Sequence, residues 1–285
     1  MSQTVQKYGI VGKSLNHSLS PNIFDFLFDR YGINARYLPL QTNESNLRHT
    51  ISAIRKENIL GANVTFPFKE SVITMLNELD RSAIQVGAAN TIINKNGVLQ
   101  GFNTDRFGIR ATILDHINID ISGGTVVLIG AGGAARACLS ELVQLRPARI
   151  LVINRTSLKT EKLLPLINGD EFHARIQFYT IDDFNSIDSS IDPSLIINAT
   201  SADIASLEYI IRRLSSNIVL KESIFFDLNY GGRAACQNLT DIFAGCYDGT
   251  FMLAAQAAES FRIWTGRNAN IHEIFENLQT EKARS

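Results

Sequence analysis

Thr125-Val126-Val127-Leu128-Ile129-Gly130-Ala131-Gly132-Gly133-Ala134-Ala135 is the stretch that decides the fold. A nearly all-apolar strand runs into a glycine turn, and an alanine-rich helix, predicted over Ala134–Leu145, opens directly behind it. The pattern is G-x-G-x-x-A in the strand-turn-helix context that a dinucleotide fingerprint requires. Gly130 permits the tight turn, and Gly132 lets a pyrophosphate come close to the backbone. The free N–H groups and partial positive charge of the helix start can then hold it. Gly130, Ala131, Gly132, Gly133 and Ala134 are therefore the candidate phosphate loop. A glycine turn that only packs helix on strand is the alternative.

The next strand, predicted at Arg149–Asn154, discriminates between dinucleotides. An NAD site usually places an acid near its end for the ribose 2′-OH, whereas a 2′-phosphate wants cations and hydroxyls. The chain offers Asn154-Arg155-Thr156, with Lys159 a turn later and no acid before Glu161. Arg155 can clamp a phosphate and Thr156 can donate a hydroxyl, so NADP(H) is favoured. A merely solvated Arg155 stays open at this level.

Around this centre lie two α/β rhythms. Upstream, strands at Tyr8–Gly12, Arg36–Leu40 and Gly61–Thr65 alternate with helices at Pro21–Tyr31, Glu44–Asn58 and Phe68–Leu79, which predicts a mostly parallel sheet flanked by helices. Asn96-Gly97 between Asn90–Asn94 and Val98–Gly101 reads as a two-residue hairpin turn that adds an antiparallel edge. A helix over Asp105–His116 and the glycines of Ser122-Gly123-Gly124 lead into the second rhythm. There Ser157–Ile167 reads as a helix, Leu195–Asn198, Ile224–Leu228 and Gly245–Tyr247 as strands, and Phe251–Thr265 with Ile271–Glu281 as terminal helices. The predicted architecture is α/β with two domains: residues 1–104, completed by helices at about 252–285, and a Rossmann domain at 105–251.

Composition agrees. The 285 residues are 45% apolar and 19% charged, enough for substantial cores and without a signature of disorder. A formal net charge of −1 gives no reason to expect nucleic acid or an anionic membrane. A small molecule is the expected partner, with a monomer or homodimer both open. Three cysteines without metal-ligand spacing suggest neither a disulfide framework nor a metal site, and no apolar run suggests a membrane span or signal. The expected location is cytoplasmic.

Two constellations in the first half can carry chemistry. In Asn16-His17-Ser18-Leu19-Ser20-Pro21, proline before an apolar helical run makes Ser20 the expected N-cap, with Ser18 just outside. The pair is a simple capped helix or a seat for a small carboxylate. In Asn63-Val64-Thr65-Phe66-Pro67-Phe68-Lys69, a strand and a proline turn deliver Lys69 to an expected helix start, where a cation opposes the dipole and so asks for another reason. Asp105, in Gly101-Phe102-Asn103-Thr104-Asp105, is either a common N-terminal helix acid or that reason. A Lys/Asp pair could exchange a proton with a hydroxyl.

These blocks, with Gly87-Ala88-Ala89-Asn90-Thr91, Asn198-Ala199-Thr200-Ser201 and Gln256-Ala257-Ala258-Glu259, resemble the shikimate dehydrogenase family along nearly the whole chain. The resemblance implies NADPH-dependent, reversible reduction of 3-dehydroshikimate to shikimate in chorismate and aromatic amino-acid biosynthesis, at a cleft between the domains. It implies Lys69 as general acid/base with Asp105 as partner. Ser18 and Ser20 would hold the substrate carboxylate, with Tyr230 closing over it, and Thr65, Asn90 and Gln256 would bind ring hydroxyls with Asp105. Thr200, Gly249 and Met252 would lie beside the cofactor. Three departures stand out: Phe251 replaces the glycine usual before Met252, Ala202-Asp203 lacks a familiar glycine, and Asn229 stands where an apolar residue is common. A quinate/shikimate dehydrogenase or a related hydroxy-acid paralogue is the nearest rival, and a silent NADP-binding regulator the rival from another class.

Overall fold

The computed structural model of the chain describes residues 5–156, 163, 175–230 and 235–284. It divides into two units, Met1–Gly108 with Leu253–Ser285, and Ile109–Met252. In the first unit the strands are β1 (Gln6–Gly12), β2 (Ala35–Gln41), β3 (Gly61–Val64), β4 (Glu78–Leu79), β5 (Thr91–Lys95) and β6 (Val98–Phe102). They form one sheet in the order β2-β1-β3-β5-β6-β4. Only β5 runs against the rest: it is antiparallel to both β3 and β6. Its hairpin with β6 turns at Asn96 and Gly97, with φ of 55° and 90°, as a two-residue turn of this hand requires. The antiparallel feature is therefore internal, because β4 adds a further parallel edge beside β6.

The helices are α1 (Ser20–Arg30), α2 (Leu47–Lys56), α3 (Arg81–Val86) and α4 (Asp105–Ala111). Helix α1 buries Ile23, Phe24, Leu27 and Phe28, and α2 buries Leu47, Ile51 and Ile54, one stripe each at helical spacing. The expected helix over Phe68–Leu79 is instead a turn, a single 3-10 segment at Ser71–Met75, and β4. Val72, Ile73 and Thr74 are β-branched, and Ser71 Oγ donates to Phe68 O, so the local side chains compete with an α-helical ladder. Asn77 then draws the chain to the sheet, its Oδ1 accepting from Leu99 N at 3.0 Å. Asp105–His116 is helical as α4 followed by a π turn at Thr112–His116.

The second unit holds β7 (Thr125–Ile129), α5 (Gly133–Leu145), β8 (Arg149–Asn154), β9 (Arg175–Thr180), β10 (Leu195–Asn198), α6 (Ile204–Ser215), β11 (Ile224–Asp227) and β12 (Gly245–Tyr247). The sheet order is β12-β11-β10-β7-β8-β9, and every adjacent pair is parallel. This is the doubly wound dinucleotide order, with its switch between β7 and β10. Central strands read as continuous apolar runs because both faces are covered. Strand β9 and helix α6 were not expected: β9 is a half-exposed edge with weak alternation, and α6 lacks a proline or glycine boundary. The expected helix over Ser157–Ile167 falls, apart from Leu163, outside the described residues.

The chain ends with α7 (Thr250–Thr265) and α8 (Ile271–Arg284). Trp264 returns to the first unit, stacking within 5.0 Å of Tyr8 and donating its indole N–H to Ile92 O at 2.9 Å. Gly61 is required beneath it, since a Cβ there would collide with the indole. No helix among the described residues is long and apolar enough to cross a membrane.

Candidate active site

Strand β3 ends at the C-terminal edge of its sheet, where Thr65 N donates to Val11 O at 2.9 Å. The chain then turns through Phe66 and Pro67. Phe66 is 76% exposed while Phe68 is buried, so Phe68 anchors the turn and fixes the direction in which the next residue leaves. That residue is Lys69, whose carbonyl also accepts from Ala89 N at 2.8 Å. It lies in the turn and not at a helix start, which removes the expected conflict with a helix dipole.

Lys69 Nζ donates to Asp105 Oδ2 at 2.7 Å. Asp105 opens α4, where the helix start favours a carboxylate. Its other oxygen, Oδ1, accepts from Asn90 Nδ2 at 2.8 Å, and Asn90 Oδ1 in turn accepts from Thr104 N at 2.7 Å. The side chains of Lys69 and Asp105 are 24% and 7% exposed. Lys69 is thus the member of the pair that can meet a ligand, and Asp105 holds it from behind. An ammonium carries three donors, of which the carboxylate takes one.

The other expected substrate groups of this unit divide into spare and committed ones. The Thr65 hydroxyl has no hydrogen-bond partner among the described residues. Gln256 Nε2 donates to Leu253 O at 3.0 Å, and Thr104 Oγ1 donates to Gln256 Oε1 at 3.4 Å. Ser20 is not the N-cap: α1 begins at Ser20 itself, behind Leu19. Ser18 Oγ instead accepts the Ser20 N–H at 3.3 Å, which leaves the Ser18 hydroxyl proton available. Burial holds the Tyr37 phenol well above its usual range, so it remains a donor.

In the second unit the phosphate loop follows β7. Gly130 has φ of 117°, and a Cβ there would stand 3.0 Å from Ala199 O and from Thr200 Cγ2, so both backbone conformation and space demand glycine. A Cβ on Gly132 would meet nothing within 4 Å. Helix α5 has Gly132 at its N-cap and no side-chain cap, so Gly133, Ala134 and their neighbours present uncapped N–H groups to open space. These residues fit a pyrophosphate. At the end of β8, Asn154 Nδ2 donates to Thr156 O at 2.8 Å, curling the strand end around an exposed Arg155. Lys159 lies outside the described residues.

The departures acquire structural reasons. Asn229 Nδ2 donates to Thr200 O and Asp227 Oδ1, both at 2.9 Å, while Asn229 O accepts from Gly249 N at 2.8 Å. One asparagine therefore stitches the loops that follow β10 and β11 to Gly249, where a Cβ would strike Leu228 O. Asp227 at the centre is fully buried, and desolvation raises its pKa against the donors around it. Asp203 caps α6, its Oδ1 accepting from Ser206 N at 2.9 Å. Phe251 is buried and stacked on His116 at 4.4 Å with an interplanar angle of 4°. Its ring is occupied within the second unit, next to Met252. Tyr230 follows β11 in the same unit and is half-buried. The thiol of Cys246 is pushed up to about 11 by burial, so it is not an activated nucleophile.

Asn63, Thr91, Thr104 and Ser260 also surround the first unit's site, and the sequence did not point to them as site residues. The available signals were that Asn63, Thr91 and Thr104 lie inside the motif blocks and that Ser260 follows Gln256 by one helical turn.

Residues 10–92 match the shikimate dehydrogenase substrate binding domain, residues 112–230 the shikimate / quinate 5-dehydrogenase family, and residues 249–274 the shikimate 5′-dehydrogenase C-terminal domain. The NADP(+) shikimate dehydrogenase of Pyrococcus furiosus is 33% identical over 93% of this chain and 92% of its own. That of Pyrococcus abyssi is 35% identical over 96% and 97%. Among solved structures, the Listeria monocytogenes shikimate 5-dehydrogenase in complex with shikimate and NAD superposes with a TM-score of 0.82 at 27% identity, covering 96% of each chain.

Proposed function

The chain belongs to the shikimate dehydrogenase family, and on that premise we propose that it catalyses the reversible NADPH-dependent reduction of 3-dehydroshikimate to shikimate. NADP(H), when bound, supplies or accepts the hydride. The chain's own residues bind, orient and manage one proton. In the reducing direction the carbonyl carbon gains hydride while its oxygen takes a proton from Lys69 Nζ; oxidation returns that proton to Lys69. Asp105 keeps the ammonium aimed, and Asn90 keeps Asp105 in place. Ser18 and Ser20 hold the substrate carboxylate, joined by Tyr230, and Thr65, Asn90 and Gln256 read the ring hydroxyls. Such a site should reject an analogue that lacks a hydroxyl by large factors, because its polar groups would be left unpaired.

On the cofactor side we assign the pyrophosphate to Gly130 through Ala134, the 2′-phosphate to Asn154, Arg155, Thr156 and Lys159, and the nicotinamide surroundings to Thr200, Gly249 and Met252. We assign substrate binding to residues 1–104 with 252–285 and cofactor binding to 105–251. A soluble substrate and cofactor make the cytoplasm the proposed location and a monomer or homodimer sufficient. One observation carries the reading: the 2.7 Å Lys69–Asp105 pair, closed on its far side by Asn90 and open on its near side. Spectrophotometry of NADPH formation from shikimate and NADP+, with quinate and NAD+ as controls, tests it. Turnover greatest with shikimate and NADP+ is expected; cofactor binding with no turnover of either acid would contradict it.

A further inference from the structure

Asn63 is the polar residue of a four-residue strand that is otherwise apolar and buried throughout. A buried amide without partners would cost about 1–3 kcal/mol, so its presence calls for bonds at each polar atom. It has them. Asn63 Oδ1 accepts from Tyr37 Oη at 2.7 Å, and Asn63 Nδ2 donates to Thr91 Oγ1 and Ser260 Oγ, both at 3.1 Å, and to Asn90 O at 3.3 Å. The carbonyl of Asn90 fixes the amide orientation, because only the NH2 side can face it.

Tyr37 has one proton, and it is given to Asn63. Beyond Asn63, Thr91 Oγ1 donates to Asn90 Oδ1 at 3.2 Å, and Asn90 Nδ2 donates to Asp105 Oδ1 at 2.8 Å. Hydrogen bonds therefore connect Tyr37, Asn63, Thr91 and Asn90 to the carboxylate that holds Lys69, with Ser260 Oγ a further partner of Thr91 at 2.9 Å. Tyr37 is 7% exposed, Asn63 6% and Thr91 0%, so none of the three is built to touch substrate.

We infer that Tyr37, Asn63 and Thr91 are positioning residues that hold Asn90, and through it Asp105, in place behind Lys69. The inference rests on the functional reading given above. It concerns residues that act through others: they fix which oxygen of Asp105 is left for Lys69. A purely structural network would show itself as lost stability with normal turnover in whatever fraction stays folded.

The test compares four variants with the parent in the shikimate and NADP+ assay, with folding followed by circular dichroism and NADP+ affinity by fluorescence titration. Thr91→Val keeps the shape and removes the hydroxyl, and Thr91→Ser keeps the hydroxyl and removes a methyl. Thr91→Val is expected to lower kcat about tenfold with unchanged NADP+ affinity, whereas Thr91→Ser stays within about twofold. Tyr37→Phe, which removes the donor to Asn63 Oδ1, should lower kcat by a similar factor with the KM for shikimate little changed. Asn63→Asp retains the acceptor for Tyr37 and loses the amide donors; it should behave like Thr91→Val in kcat. If Asn63→Asp or Tyr37→Phe fails to fold, the threonine pair alone decides. Normal kcat in folded Thr91→Val, or equal impairment of the valine and serine variants, would overturn the inference. A parent protein with no turnover of shikimate would instead overturn the functional reading, and this inference with it.

Discussion

The two units solve the problem of placing a ligand by opposite means. Around Lys69 the first unit works with side chains: Asp105, Asn90, Thr104, Asn63 and Thr91 are mutually hydrogen-bonded and buried before any substrate arrives. Around Gly130 the second unit works with backbone: an uncapped helix start, a left-handed glycine and loops stitched together by Asn229. Directional chemistry on a polyhydroxylated ring needs side-chain groups held within tenths of an ångström. A pyrophosphate needs only N–H groups, a dipole and room. The first arrangement should be intolerant of polar deletions, and the second of added side-chain volume and lost packing.

The sharpest stability test of this contrast is Phe251→Ala. Its ring is buried against His116, and truncating a buried phenylalanine costs about 3–5 kcal/mol. Denaturant unfolding should show a loss of that size. Hydrogen exchange should localise the loosening to the second unit, around Gly249 N, with protection of the first unit's sheet retained. Uniform loss of protection in both sheets would erase the distinction.

Arg155→Ala comes next and separates charge recognition from the backbone seat. A charge-assisted hydrogen bond is worth about 1.5–3 kcal/mol, so the KM for NADP+ should rise roughly tenfold to a hundredfold while that for NAD+ barely moves. Equal losses with both cofactors would mean that Arg155 serves the shared part of the dinucleotide.

The smallest effect is expected at Asp203→Ala, which removes the cap of α6 from an exposed position. The N–H of Ser206 holds the Asp203 carboxyl below its usual pKa. A depressed folded-state pKa contributes stability that is present above the unfolded value and is lost as pH falls through the folded one. Melting curves of parent and variant should therefore differ at neutral pH and converge in acid. A difference that persists unchanged at low pH would point to helix packing and not to the cap.

How far each unit could be read from the chain follows the same contrast. The phosphate loop was legible because its requirements are local: Gly130, Gly132 and the following helix lie within six residues, in one strand-turn-helix. Strand β7 and its neighbours were legible because fully buried parallel strands are continuous apolar runs. Lys69 and Asp105 were visible as candidates, but nothing in spacing joined residues 36 apart in sequence. The resemblance did that, and the geometry now shows the contact. The helix misassigned over Phe68–Leu79 had apolar residues at helical intervals, yet Pro67, a β-branched run and Asn77's bond to the β6 backbone outweighed the period. Tyr37 carried no signal at all and Ser260 only its one-turn spacing from Gln256, since a tyrosine in a half-exposed strand and a serine in a helix are ordinary until the fold brings them to Asn63.

The central claim is that Lys69, held by Asp105, transfers the proton of the reaction. Steady-state kinetics of Lys69→Ala with shikimate and NADP+ test it most directly. General acid–base groups contribute about 10²–10⁴-fold, so kcat should fall by a factor in that range while the KM for shikimate changes little and NADP+ still binds. A Lys69→Ala enzyme with near-normal kcat would contradict the account.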